Sequence, residues 1–236
     1  MYTVNFKIPT SVRVIGVGIG VKEIINKVKS VELEGVSTEI SEYPYECIPS
    51  DEDKLAIIIF TDLEENANRI AKTFHNAGIL TIGFSEDADP SCYDNIMLCD
   101  SRNEYPDIIK ALLQPILTQG NICYYLSDLY TMFRNTGYFT VKTTTGNNAK
   151  DAIEKLKAIF NELELNSVDN LTINIYFNPN GSTPLKMSDL ASLSEMMSTL
   201  PEKINVIWSI NHDENLNEND IRLTTILTGK DVCNIL

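Results

Sequence analysis

The stretch NEYPDIIKALLQPILTQGNICYYLSDLYTMFRNTGY, residues 103–138, joins two halves of the chain that follow different patterns. Apolar residues recur at helical spacing in its first part, at Ile108, Ile109, Leu112, Leu113 and Ile116. This spacing predicts a helix over 103–118 with one wide apolar face. Pro115 lacks an amide proton, so we expect it to end or bend this helix near its C-terminus. A second helix should begin directly after a turn at 118–120, with a stripe at Ile122, Leu126, Leu129 and Phe133, and stop before Gly137.

The half that follows this stretch alternates strands and helices in a fixed order. We predict strands at 138–145, 171–177, 204–211 and 220–229, and helices at 151–163 and 188–200. The order β-α-β-α-β-β predicts a separate α+β domain.

The half that precedes the stretch has the pattern of an α/β domain. Residues 55–60, LAIIIF, are apolar on both faces, which is typical of an inner strand of a parallel sheet covered by helices. Further strands are expected at 11–17, near Val31, at 79–84 and at 95–98, and helices at 21–30 and from Leu63 to Phe74.

Three glycines, Gly16, Gly18 and Gly20, lie between the first strand and the first helix. Strand, glycine loop and helix form a phosphate-binding layout, because glycines let the backbone approach an anion and the helix amides face it. The alternative is a tight strand-to-helix turn of the kind found in any α/β domain.

Several of these segments together resemble the FtsZ/tubulin family. Residues 120–138 are similar to its catalytic loop and the Gly-Tyr that follows, with Gly120 and Asp128 in agreement. Residues 77–84, AGILTIGF, resemble one of its strands, and residues 205–229 resemble the last two strands of its second domain. The chain looks like a shortened and divergent bacterial member of this family.

The resemblance implies a fold in three parts. Residues 1–102 would form a shortened Rossmann-like GTPase-type α/β domain with a mainly parallel sheet, and 103–126 the core helix and catalytic-type loop. Residues 127–236 would form the smaller α+β domain of the family.

The resemblance also implies a nucleotide site whose residues are degenerate here. Gly16, Gly18 and Gly20 match its first glycine loop, Asn103 lies near the position that contacts guanine, and Asp128 matches a catalytic aspartate. The other two polar residues of the catalytic loop fall on Cys123 and Tyr125.

Acidic residues replace the glycines of the family's main phosphate motif. Thr61, Asp62, Leu63, Glu64 and Glu65 follow the strand at 55–60, and Glu23 follows the first glycine loop. These carboxylates favour the first turn of a helix but would repel a triphosphate. We therefore expect Asp128 to be vestigial and no cofactor to bind tightly.

Composition limits the classes of partner. A net charge of −14 argues against binding nucleic acid or an anionic membrane surface. Five cysteines without a C-x-x-C pair predict neither a disulfide framework nor a metal site, and they fit a cytoplasmic protein. Residues 1–14 show no long apolar run, so we expect no signal peptide, and the sequence printed has no linker beyond the last domain strand.

Three functions remain open. The favoured one is an FtsZ/tubulin-like protein with degenerate GTP-binding and catalytic loops that acts through self-association or through cytoskeletal or cell-division partners. The alternative is a divergent GTPase that binds and hydrolyses GTP on polymerisation, with GTP or GDP as its ligand. The third is an unrelated nucleotide or cofactor binder on a Rossmann-like sheet.

The favoured hypothesis predicts which surfaces meet in a head-to-tail assembly. The loop 123–128 of one copy should meet the face 16–23 of the next. Tyr124, Tyr125 and Leu126 would make an apolar contact there, although simple burial of these residues is the alternative. Replacing Asp128 with alanine should leave assembly unchanged.

Overall fold

The computed structural model describes residues 12–31, 33, 35–43, 45–85, 88–97, 101–118, 120–181, 185–230 and 232. The chain divides into two compact units, Met1–Leu117 with Phe133–Gly137, and Thr118–Met132 with Tyr138–Leu236. The predicted segments 1–102, 103–126 and 127–236 differ from these units and stay a prediction about domains. Among the described residues, no helix combines the length and apolar character needed to cross a membrane.

The first unit is an α/β layer with a parallel sheet. Its elements are β1 (Val12–Val17), α1 (Lys22–Ser30), β2 (Val36–Ser41), β3 (Leu55–Phe60), α2 (Glu64–Asn76), β4 (Leu80–Phe84), β5 (Asn95–Met97) and α3 (Tyr105–Leu117). The strand order is β2-β1-β3-β4-β5, and each neighbouring pair is parallel. All six residues of β3 are buried, which agrees with its apolar sequence.

The register of this sheet fixes where its loops lie. Val17 at the end of β1 pairs with Ser41 of β2 and with Phe60 of β3. Because the strands are parallel, the segments that follow these three residues leave the sheet at the same edge. We call it the carboxyl edge.

Arg13 of β1 ties the long connection between β2 and β3 to the sheet. Its guanidinium donates to Asp53 Oδ2 at 2.9 Å, to Cys47 Sγ at 2.9 Å and to Glu39, and it lies 5.2 Å from the centre of the Phe74 ring. Burial, reinforced by Glu39, raises the pKa of the Cys47 thiol to about 12. Cys47 is therefore a neutral thiol at physiological pH and a part of the packing.

The second unit is an α+β layer. Its elements are β6 (Gly120–Ile122), α4 (Leu126–Phe133), β7 (Gly137–Gly146), α5 (Ala149–Glu162), β8 (Asn170–Phe177), α6 (Ala191–Ser198), β9 (Asn205–His212) and β10 (Ile221–Gly229). The strand order is β7-β10-β8-β9-β6, with β8 and β9 parallel and the other pairs antiparallel. Apolar residues of β8 and β10 form one core with α5 and α6. The predicted α+β pattern is confirmed.

Three local predictions need correction or detail. Gly120–Ile122 forms strand β6 and not the start of a helix, because Ile122 pairs with Ile210 of the distant β9. The strand predicted near Val31 lies at Val36–Ser41. Helix α3 continues past Pro115 and ends at Leu117, near the position predicted.

We predict that Gly16→Ala destabilises the first unit. A Cβ atom there would lie 2.6 Å from Val21 Cγ2 and 2.7 Å from Ile25 Cγ1, so α1 would have to shift from β1. Overpacking of this kind lowers the free energy of unfolding by about 1–3 kcal/mol, measurable by urea denaturation. Lys22→Ala, at an exposed residue of the same helix, is the control and should change stability by less than about 0.5 kcal/mol. Equal effects of the two variants would contradict this packing.

Candidate functional site

A cavity of about 370 Å³ opens in the first unit, a volume that suits a small ligand. It brings together two of the predicted site residues, Gly20 and Asn103. The full lining is Gly20, Glu23, Ile24, Lys27, Thr61, Arg102, Asn103 and Pro106. Gly16 and Gly18, also predicted to bind a nucleotide, are not among these residues.

Each glycine of the first loop is explained by packing within the protein. Gly16 lies against α1, as described above. A Cβ atom at Gly18 would lie 2.6 Å from Asp62 Oδ1, and one at Gly20 would overlap Thr61 Oγ1. Gly18 also has φ of +90°, a conformation that favours glycine. The loop therefore packs against the turn that follows β3, and Gly20 and Thr61 also line the cavity.

That turn, residues 61–63, has an unusual backbone. Thr61 donates a hydrogen bond to Asp62 Oδ1 at 3.2 Å, and Leu63 has a left-handed conformation with φ of 59°. The Leu63 carbonyl accepts the first helical hydrogen bond of α2, from the Ala67 amide at 3.0 Å. The Asp62 carboxylate thus lies against the glycine loop, on the segment where the sequence resemblance predicted phosphate-binding glycines.

The charges around the cavity have both signs. Lys27 and Arg102 contribute positive charge, and the Glu23 carboxylate lies 3.6 Å from the Lys27 ammonium group. We did not predict the two basic residues from the sequence. The four-residue spacing of Glu23 and Lys27 on a helix, and the position of Arg102 next to Asn103, are the signals that could have indicated them.

Asp128 has a structural partner in the second unit. Its Oδ2 atom accepts a hydrogen bond from the Tyr125 amide at 2.7 Å, and its own amide donates to the Tyr125 carbonyl at 3.0 Å. The first bond is the one that the third residue of a capping box makes back to the N-cap amide, and the second is a backbone bond of the first turn of α4. The carboxylate that the resemblance marks as catalytic therefore stabilises the first turn of a helix.

The two tyrosines of the loop have opposite environments. Tyr124 is 2% exposed and Tyr125 is 62% exposed. Burial raises the pKa of Tyr124, and a hydrogen bond with Cys123 raises that of Tyr125. The expectation that both tyrosines serve as contact residues is wrong for Tyr124, because the chain turns inward there after β6.

The start of this loop, at Gly120 and Asn121, is fixed by contacts with β9. A Cβ atom at Gly120 would overlap the Ile210 carbonyl oxygen of β9, so only glycine allows this approach. His212 Nε2 lies 2.7 Å from Asn121 Oδ1. Because Tyr124 is buried and Asp128 binds the Tyr125 amide, the backbone at Tyr125 is held in place while its side chain is exposed.

Exposed apolar side chains also occur at the carboxyl edge of the first unit. Ile19 follows β1, Tyr43 follows β2, and each is 86% exposed. Large apolar residues this exposed are typical of protein contact surfaces when several lie close together. Among the described residues, no group of three His, Cys, Asp or Glu side chains is placed to hold a metal ion.

We predict that Asp128→Ala lowers the free energy of unfolding by about 1 kcal/mol, because the Tyr125 amide loses its acceptor. Asp128→Asn keeps a side-chain oxygen at that position and should lose less than half as much. Urea denaturation of both variants measures the difference. Equal losses would show that the capping hydrogen bond contributes nothing.

Sequence comparison and structure comparison give different results. The sequence matches no protein-family model and no curated protein. The structure is similar to an FtsZ dimer of M. jannaschii, at a TM-score of 0.67 and 14% identity over 93% of this chain and 88% of that one. A tryptophan-to-tyrosine variant of the M. jannaschii protein gives 0.68 at 14% identity, over 92% and 90%.

A second group of similar structures comes from TubZ. The GTPγS-form protofilament of TubZ from Bacillus thuringiensis serovar israelensis has a TM-score of 0.51 at 9% identity, over 77% of this chain and 62% of that chain. These likenesses confirm the α/β fold with a mainly parallel sheet that the sequence predicts. The fold of this chain is therefore similar to that of FtsZ and TubZ.

Proposed function

We propose that the protein acts by self-association, with copies stacked head to tail through contacts that do not require GTP hydrolysis. The observation that carries this proposal is the presence of exposed apolar residues on both surfaces that would meet. Tyr125 projects from the loop of one copy, and Ile19 and Tyr43 lie at the carboxyl edge of the other. Self-association is also supported by two proteins of similar fold, because one structure is an FtsZ dimer and another is a TubZ protofilament.

The chemistry of these residues suits an interface. A tyrosine ring gives a large contact area for little loss of conformational entropy, and its hydroxyl tolerates a wet rim. Tyr125 is also held in position by the cap at Asp128, so little ordering is needed when a partner binds. Contrary to the expectation from the sequence, Asp128→Ala should then weaken assembly. The net charge of −14 on each copy opposes association, so salt should promote assembly by screening the repulsion.

The arrangement of the loops supports a nucleotide site that is degenerate. Asp62 lies against Gly18, Glu23 lines the cavity, and Asp128 is engaged in capping. Phosphoryl transfer needs positioned charge around the phosphates and the attacking water, and losing it raises the barrier by several kcal/mol. We accordingly assign the protein no cofactor and no hydrolytic activity.

One observation favours the alternative, a divergent GTPase. Lys27 and Arg102 both line the 370 Å³ cavity and would attract an anionic ligand there. In that case GTP or GDP would be the ligand and Asp128 would act on the nucleotide of a neighbouring copy.

As the compartment we propose the cytoplasm, since Cys47, Cys92 and Cys123 are free thiols. Cytoskeletal or cell-division proteins are the proposed class of further partners.

We predict that Tyr125→Ala and Ile19→Ser each weaken self-association by about tenfold or more, because each removes an apolar anchor from the contact. Sedimentation velocity over a range of protein concentrations, at low and high salt without nucleotide, measures the effect. Ile48→Ser is the matched control, since Ile48 is 77% exposed but its carbonyl accepts a hydrogen bond from Arg13, remote from the carboxyl edge.

Two results would contradict the proposal. One is a protein that stays monomeric at every concentration and salt level. The other is assembly that Ile48→Ser weakens as much as Ile19→Ser does.

We predict that GTP binds far more weakly than micromolar, because carboxylates repel the phosphates while the glycine loop is filled by Thr61 and Asp62. Isothermal titration calorimetry measures the affinity, with Glu23→Gln as the variant expected to bind more tightly. Turnover of GTP should not exceed background. Micromolar binding, or hydrolysis that rises with protein concentration and is lost in Asp128→Asn, would establish the GTPase alternative. Asn preserves the cap that alanine removes, so this variant separates catalysis from folding.

A further inference from the structure

The sheet of the second unit has two buried faces of different character. One face carries the apolar core that packs against α5 and α6. Strand alternation places a second set of side chains on the opposite face, and these are polar although each is at most 1% exposed. They are Thr172, Asn174 and Tyr176 of β8 and Ser209 and Asn211 of β9.

Some of these groups bind one another in a short chain of hydrogen bonds. Asn211 Nδ2 donates to Ser209 Oγ at 2.7 Å, and Ser209 Oγ donates to Asn174 Oδ1 at 2.7 Å. The ends of the chain are unsatisfied. Asn174 Nδ2, Asn211 Oδ1 and the Tyr176 hydroxyl have no hydrogen-bond partner among the described residues.

The loop that carries Tyr125 is rooted on this face. The ring of Tyr124 is buried, and its hydroxyl lies beside that of Thr172. Burial raises the pKa of Tyr124 and of Tyr176, so both hydroxyls stay protonated and act as donors at physiological pH. A group of buried donors and acceptors left without partners would destabilise the fold strongly.

We propose that this face binds ordered water, which links Asn174, Tyr176 and Asn211 to the hydroxyl of Tyr124. Tyr124 and Tyr176 lie near enough to each other on this face to interact electrostatically. Donors and an acceptor meet there, as a water molecule with two to four polar partners requires. An anion is a poorer fit, because Arg222, which stacks on the Tyr176 ring, already pairs with Asp213 at 2.9 Å.

The inference goes beyond self-association and does not depend on it. Buried water bound in this way is a structural part of the unit, and it would fix Tyr124 and hence the frame of the loop. Without it, the polar residues under the loop would weaken the fold and not support it.

A double-mutant cycle tests the link between the loop and the strand. Tyr124→Phe and Asn211→Ala share no direct hydrogen bond, so without bridging water their effects on the melting temperature should add. With bridging water we expect the double variant to melt about 2–4 °C above the additive value, because the second change removes a bridge that is already broken. Tyr124→Phe with Ser198→Ala, at an exposed residue of α6, is the control pair and should be additive. Additivity in both pairs would overturn the link to Tyr124.

A high-resolution crystal structure of the unaltered protein tests the site itself, whatever the variants do. We expect density within hydrogen-bond distance, about 2.7–3.2 Å, of both Asn174 Nδ2 and Asn211 Oδ1. Direct hydrogen bonds from these atoms to protein groups, or a face without such density, would overturn the proposal.

Discussion

The parallel register of β1 with β2 and β3 is the constraint on which the first unit depends. It brings the ends of three strands to one edge, so the glycine loop after β1 and the turn after β3 must meet. In a phosphate-binding protein of this architecture, two such loops would leave space for an anion between them. Here Thr61 and Asp62 take up that space beside Gly18 and Gly20. The close approach of the chain's own atoms accounts for glycine at these positions.

In the second unit, residues that the resemblance marks as parts of a site likewise have structural roles. Gly120 lets β6 approach the backbone of β9, Tyr124 is buried beside Thr172, and Asp128 caps α4. These residues belong to a loop whose sequence resembles the catalytic loop of the FtsZ/tubulin family. Together they hold the loop so that the Tyr125 ring is exposed, and exposed tyrosines are common at protein contacts.

Much of the fold could be predicted from the sequence, since β3 and α2 have clear apolar periods of their own. The errors arose where a distant partner decides the structure. Ile122 fits a helical stripe and equally fits a strand, and the pairing with β9 settles the choice. Tyr124 and Tyr125 look equivalent in the sequence, yet the path of the chain after β6 buries one and exposes the other. Lys27 and Arg102 come from elements far apart in the chain, so only the folded sheet shows that they share a cavity.

Leu63 adds backbone strain to the turn after β3, which packs against the glycine loop. A leucine in the left-handed region, at φ of 59° and ψ of 40°, is strained by about 1–2 kcal/mol relative to the right-handed region. Packing within the unit, and not the local backbone preference, therefore keeps the turn against the glycine loop. Glycine at residue 63 would relieve this strain but would also remove the leucine side chain that packs beside Gly18.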